Sequence, residues 1–247
     1  MNFGKIGVLS GNTLKIIAAL SMTVDHIGVI MFPKLSILRI IGRIAFPLFA
    51  FMIAEGCKYT RNKLRYFLSV SCLAVAIQVF YYFFSGETKM SVLVTFSLSI
   101  LSVYALQYFK ACIFCDDTSV RKKLFGAVVL IVAVSLSLAF SLLFDLDYGF
   151  FGAMLPLWAA IFQSDRSRNE PYPSDKLDTI PITVLSFSVG VLLLSCFYGG
   201  IQYFSLFAII PLLLYSGKRG RRGFKYFFYI FYPAHIALIY GISLLIK

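Results

Sequence analysis

The 247 residues contain two histidines, and both stand inside apolar runs. His26 follows Asp25 in Met22-Thr23-Val24-Asp25-His26-Ile27-Gly28, and His235 follows Pro233 in Phe231-Tyr232-Pro233-Ala234-His235. Another apolar run carries Arg39 and Arg43, spaced i, i+4 and so on one helical face, and ends near Glu55. An imidazole titrates near neutral pH and suits proton abstraction from an amine or hydroxyl nucleophile. A guanidinium suits a phosphate, a carboxylate or a developing oxyanion. An ionisable group at mid-bilayer costs about 2.5–3.5 kcal/mol on insertion scales, so such groups pair, face the interior and mark function. Each also has a plainer reading. An Asp–Arg pair can be interhelical glue, a histidine can bond a neighbouring backbone carbonyl, and Glu55 can simply pair with Lys58 or Arg61.

The elements that must hold these residues are membrane helices. The chain is 60% hydrophobic and only 14% charged, where a soluble domain carries about a quarter. Apolar runs of membrane-crossing length recur along it, continuous rather than alternating, which excludes a β-barrel. The reading is a single all-α domain over 1–247, a polytopic bundle with spans at 12–33, 36–57, 65–84, 91–109, 124–144, 148–163, 179–198, 201–216 and 226–246. The first run is long and lacks a small-residue cleavage site, so it is read as a span and not as a removed leader.

The net charge of +12 does not point to nucleic acid, because the basic residues lie in short clusters between apolar runs. All of the 23 except Lys34, Arg39, Arg43, Lys89 and Lys247 fall on one side of a nine-span chain. That asymmetry places the N-terminus in the cytoplasm and the C-terminus outside. The clusters at Lys58–Arg65 and Lys218–Arg222 suit the phosphates of a cytosolic cofactor or an anionic lipid headgroup. The polar stretch 163–178 reads as a flexible inner loop in which Pro171 and Pro173 stop any helix. Five cysteines form no disulfide framework, and the Cys112–Cys115 pair has no second pair and no nearby histidine, so no metal is expected.

Helix rise gives depth. His26 lies about 21 Å from the inner face, level with Arg43 across a tight hairpin, and His235 about 14 Å from it. Asp25 and His26 point about 100° apart, so Asp25 is expected to meet Arg43 or Arg39 rather than to hold His26. Pro233 loosens the helix around His235.

Four blocks, "LKIIAALSMTVDHIG", "LRIIGRIAFPLFAFMIAEGCKYTRN", "DLDYGFFGAMLPL" and "KYFFYIFYPAHIALIY", in this order resemble the TraX family. That family is named for a conjugal-transfer protein implicated in acetylating the N-terminus of pilin, and is akin to membrane-embedded acyltransferases. The resemblance implies acetyl transfer from cytosolic acetyl-CoA to an amine or hydroxyl of an acceptor that it does not name. It marks Asp25 and His26; Arg39, Gly42, Arg43, Pro47, Glu55, Gly56, Thr60 and Asn62; Asp147, Tyr148 and Gly149; and Tyr232, Pro233 and His235. The implied roles are catalysis for His26, Asp25 and His235. Substrate and charge stabilisation falls to Arg39, Arg43, Glu55, Asp147, Tyr148 and Tyr232; cofactor binding is expected at Asn62 and, from the basic clusters themselves, at Lys58, Arg61, Lys218, Arg219 and Arg221. Two rivals stand beside this: a proton-coupled carrier using the Asp-His-Arg cluster, and a membrane scaffold without chemistry.

Overall fold

The computed structural model describes residues 7–85, 89–114, 119–168, 172–220 and 225–246. Among them it is all-helical, with two isolated bridges (Leu9 with Tyr215, Met90 with Leu146) and no strand. The helices are α1 (Gly11–Ile30), α2 (Ser36–Gly42), α3 (Ala45–Tyr59), α4 (Lys63–Ser85), α5 (Val92–Phe114), α6 (Val120–Leu143), α7 (Gly149–Ala160), α8 (Ile180–Tyr198), α9 (Ile209–Leu213) and α10 (Lys225–Ile246). Two 3-10 segments, Pro173–Leu177 and Gly200–Ala208, lie between them. Among the described residues six stretches are long and apolar enough to cross a membrane: α1, α2 with α3, α4, α5, α6 and α8. Two expected spans are shorter as apolar helix, Gly149–Ala160 and Gly200–Leu213, and the last falls on the 22-residue α10, of which Ile230–Leu245 is described with its side chains.

The second expected span is two helices. Pro47 has no N–H for the carbonyl of Arg43, four residues back, so the α-helical ladder cannot run through this point. The chain turns at Arg43 and Ile44, and α3 restarts at Ala45. The Arg43 N–H instead caps α2 through the carbonyls of Arg39 and Ile40.

The chain forms two compact units. One comprises residues 1–52 and 191–247. In it α1 packs on α2, with the Ser21 hydroxyl donating to the Ile41 carbonyl. Gly28 and Gly42 let the two backbones approach. A Cβ at Gly28 would lie 2.8 Å from Leu38, and one at Gly42 would overlap the Asp25 side chain. Small residues at such a contact are the usual means of close helix approach in lipid. The segment Leu214–Arg219 fastens the start of α1: Leu9 and Gly11 donate to the carbonyls of Leu214 and Lys218, and Asn12 to that of Arg219.

The other unit comprises residues 53–190. Here α5 packs on α4, α6 and α7. Ser99 donates to the Ala153 carbonyl at 2.8 Å, and Thr95 to that of Asp147 at 2.7 Å. The stretch 163–178 is expected to be a flexible loop; Pro171 lies outside the described residues, and the described ones carry ties that the prolines do not announce. Lys63 meets Asp165 at 2.6 Å, Lys58 meets Asp178 at 2.7 Å, and Gln163 donates to Glu55 at 2.9 Å. Pro173 opens a 3-10 turn at its first position, where a missing N–H costs nothing.

Candidate functional site

The first unit gathers Asp25, His26, Arg39, Arg43, Tyr232 and His235. Asp25 takes the Arg43 Nη2 on both carboxylate oxygens, at 3.0 and 3.1 Å, and lies 3.6 Å from Arg39. Gly42 makes this possible, because its missing side chain is the space that the Asp25 carboxylate fills. Arg43 Nη1 donates to Gln202 Oε1 at 3.3 Å.

His26 is turned away from Asp25. Its Nδ1 lies 2.8 Å from the carbonyl of Met22, one turn back. His235 does the same, with Nδ1 2.8 Å from the Phe231 carbonyl. A carbonyl can only accept, so in both neutral rings the proton sits on Nδ1 and the lone pair on Nε2. The two rings meet edge to face with centroids 5.0 Å apart. Phe231 stacks on His235 at 5.0 Å, and Tyr232 approaches it edge-on at 5.8 Å. His235 is buried, and its Nε2 has no hydrogen-bond partner among the described residues. Counting depth from each helix end sets the histidines at different levels. In the structure their rings touch, because α1 and α10 do not begin at a common level.

Gln202 escapes a reading of the sequence. It sits in the nine-residue 3-10 segment Gly200–Ala208, reached through a turn in which Gly199 and Gly200 have φ of 65° and 54°. A 3-10 helix repeats every three residues. Its buried face is therefore Gln202, Ser205 and Ala208. Ser195 of α8 bonds this face, donating to the Gln202 carbonyl at 3.2 Å and meeting the Ser205 hydroxyl at 3.1 Å. A lone amide in an apolar run was the available signal, but the α-helical period hides the face.

Other expected residues lie elsewhere. Lys218 and Arg219 are exposed beside the start of α1, and Arg219 is near enough to Lys15 to feel its charge. Arg221 lies outside the described residues. Arg61 is exposed, and Asn62 caps α4, its Oδ1 accepting from the Arg65 N–H at 2.8 Å. Glu55 and Lys58 belong to the second unit, where Lys58 is buried against Asp178 and lies 4.0 Å from Glu55. Ser164 also donates to Asp178, and Arg166 stands 3.6 Å from it. Burial pushes the Asp178 carboxyl up, but Lys58 and Ser164 outweigh it and hold it below the usual carboxylate range. Asp165 is likewise pushed up by burial and held lower on balance by Lys63 and Ser167. Asp147 meets Lys89 at 3.3 Å, and Tyr148 opens α7 in a left-handed conformation with φ 59°. That conformation is uncommon outside glycine and marks the Asp147–Tyr148–Gly149 block as a fixed turn. Among the described residues no group of three or more metal-ligating side chains forms.

No solved structure matches this chain significantly. A protein of Rickettsia prowazekii (strain Madrid E), described as uncharacterized protein RP591, is 58% identical over 38 residues. That stretch is 15% of this chain and 15% of the relative, so it carries no function. The family model described as TraX protein matches residues 10–243, from the start of α1 to the last turns of α10. This chain, a membrane protein by its helices, belongs to the TraX family.

Proposed function

We propose that the protein is an integral-membrane acyltransferase of a bacterial inner membrane that moves acetyl from acetyl-CoA to an amine or hydroxyl. The observation that carries this reading is the histidine pair, two imidazoles whose Nδ1 protons are tied to backbone carbonyls beside a charged Asp25–Arg43 clasp. The acceptor N–H or O–H attacks the thioester carbonyl carbon, and His26 Nε2 takes its proton. The C–S bond breaks, and the CoA thiolate leaves and receives that proton from the imidazolium. Arg43 and Arg39, held by Asp25, set the local charge, and His235 serves acceptor or leaving thiolate at the same point. Family membership supports the reaction class. The pilin terminus associated with the family name makes an N-terminal amine one acceptor among several.

The charge bias of the loops supports an N-terminus in the cytoplasm. Lys218 and Arg219, exposed beside the start of α1, suit the CoA phosphates, and Arg61 is a further exposed cation. Lys58 is matched by carboxylates and suits that role less well. Along α1, His26 is about 22 Å from Gly11, so the pantetheine arm must reach about that far into the bundle. The test is acetyl transfer from labelled acetyl-CoA by the purified protein, with His26→Ala and His235→Ala beside it. Full activity in both variants would remove the mechanism, and no CoA binding by the wild type would remove the function.

A proton-coupled carrier is the second reading. Helices broken at Arg43 and a 3-10 segment beside a charged site favour it. Proton-driven uptake in proteoliposomes without dependence on CoA would select it.

A further inference from the structure

Gln202 has no part in the reaction as written above, yet it is the most unusual polar group in the first unit. It is 5% exposed. Arg43 can only donate, so the carboxamide oxygen must face it, and this fixes the orientation of the whole group. Nε2 then points the other way, with two N–H bonds. It is buried and has no hydrogen-bond partner among the described residues. A buried donor without an acceptor is costly, and the large majority of buried side-chain polar atoms avoid that state. The backbone that carries the group is also held, with the Gln202 N–H on the Gly199 carbonyl at 3.0 Å and the Gln202 carbonyl taken by Ser195. The group is thus oriented by Arg43, anchored by Ser195 and left with an unused donor.

We propose that Gln202 Nε2 donates a hydrogen bond to the carbonyl oxygen of the bound acyl thioester. This rests on the acyltransferase reading and deepens it. The ligand needs one neutral oxygen acceptor that becomes an oxyanion as the acceptor attacks. A carboxamide set beside a clamped guanidinium supplies a donor to that oxygen without moving a charge. Such donors act by being fixed before the charge develops. The 3-10 geometry provides the fixing, since it places Gln202 and Ser205 on one line facing α8.

The experiment compares two ligands on three purified full-length proteins. The ligands are acetyl-CoA and S-ethyl-CoA, a thioether in which a methylene replaces the carbonyl. The proteins are the wild type, Gln202→Glu and Gln202→Met. Gln202→Glu keeps the oxygen that faces Arg43 and removes the N–H donors, while Gln202→Met keeps the bulk and removes both. The wild type is expected to bind acetyl-CoA about tenfold more tightly than S-ethyl-CoA, the worth of one hydrogen bond. Both variants are expected to bind the two ligands alike, with unchanged affinity for S-ethyl-CoA as the sign of an intact site. Gln202→Glu that retains the wild-type preference would overturn the proposal, leaving Gln202 as a residue that only orients Arg43. A wild type that binds both ligands without preference would overturn it equally. If the wild type binds neither, the acyltransferase reading fails first and takes this assignment with it.

Discussion

The first unit holds a polar cluster of Asp25, Arg39, Arg43, Gln202 and the two histidines, and the second holds Glu55, Lys58, Gln163, Ser164, Arg166 and Asp178. Both are built from charges within or at the edge of apolar helices, and both join segments far apart in sequence. They differ in what is left over. In the second cluster the ammonium of Lys58 faces two carboxylates, and Asp178 takes Ser164 and Arg166 besides. In the first, a carboxamide nitrogen and an imidazole nitrogen stay buried with no hydrogen-bond partner among the described residues. A saturated network contributes rigidity, because any change in it strands a charge. An unsaturated one has room for a ligand's polar atoms. The comparison separates a joint from a site by counting donors and lone pairs rather than charges.

Four measurements would break or sharpen that contrast. His26→Ala should lower acetyl transfer by about a thousandfold, in the range of lost general-base catalysis, while the melting temperature stays near that of the wild type. Unfolding in its place would make the first cluster structural. Asp178→Asn should do the reverse. Lys58 then keeps only the more distant Glu55, and loss of the close ion pair should cost about 3 kcal/mol of stability, read by thermal melting in detergent, with turnover per folded molecule kept. If turnover collapses in a folded protein, the second cluster is more than a joint. Gly42→Ala places a methyl group where the Asp25 side chain sits, with an overpacking cost of about 1–3 kcal/mol. It should loosen the Asp25–Arg43 clasp, so activity should fall more than stability does, and Gly42→Ser should be no better.

The smallest effect concerns pH. Asp165 and Asp178 have folded-state values below the ordinary carboxylate range, so protonation favours the unfolded form. Their contribution is present in full above about pH 5 and fades below about pH 4, as pH falls toward the lowered values. Amide protection in residues 163–168 and 172–178, taken relative to the intrinsic exchange rate at each pH, should therefore fall on acidification before that of the helices. Protection unchanged down to about pH 3 would show that these ties do not hold the loop.

Legibility in the sequence followed the cost of burial. A charge in an apolar run is expensive enough to be noticed, so Asp25, Arg39 and Arg43 could be picked out, and helix rise brought Asp25 level with Arg43. The long helices were legible for the same reason. The break at Arg43 was not, although Pro47 announces it, because composition counts 36–57 as one run. The fastened loop was hidden because its ion pairs join residues 102 and 120 positions apart, and no local pattern encodes such pairs. The contact between His26 and His235 was hidden for a related reason. Depth along each helix is local, while the offset between two helices is a tertiary property that no local count contains.

The 3-10 segment has a consequence for how far the chain reaches. A 3-10 helix rises about 2.0 Å per residue against 1.5 Å for an α-helix. Its nine residues cover about 18 Å, and with α9 the stretch Gly200–Leu213 extends about 25 Å. As a plain α-helix the same residues would cover about 21 Å. The stretched winding brings a segment too short by residue count close to the thickness of a hydrocarbon core, about 30 Å, without one additional apolar side chain. Rewinding it into an α-helix would draw its two ends about 4 Å closer together and turn Gln202 off the line it shares with Ser205.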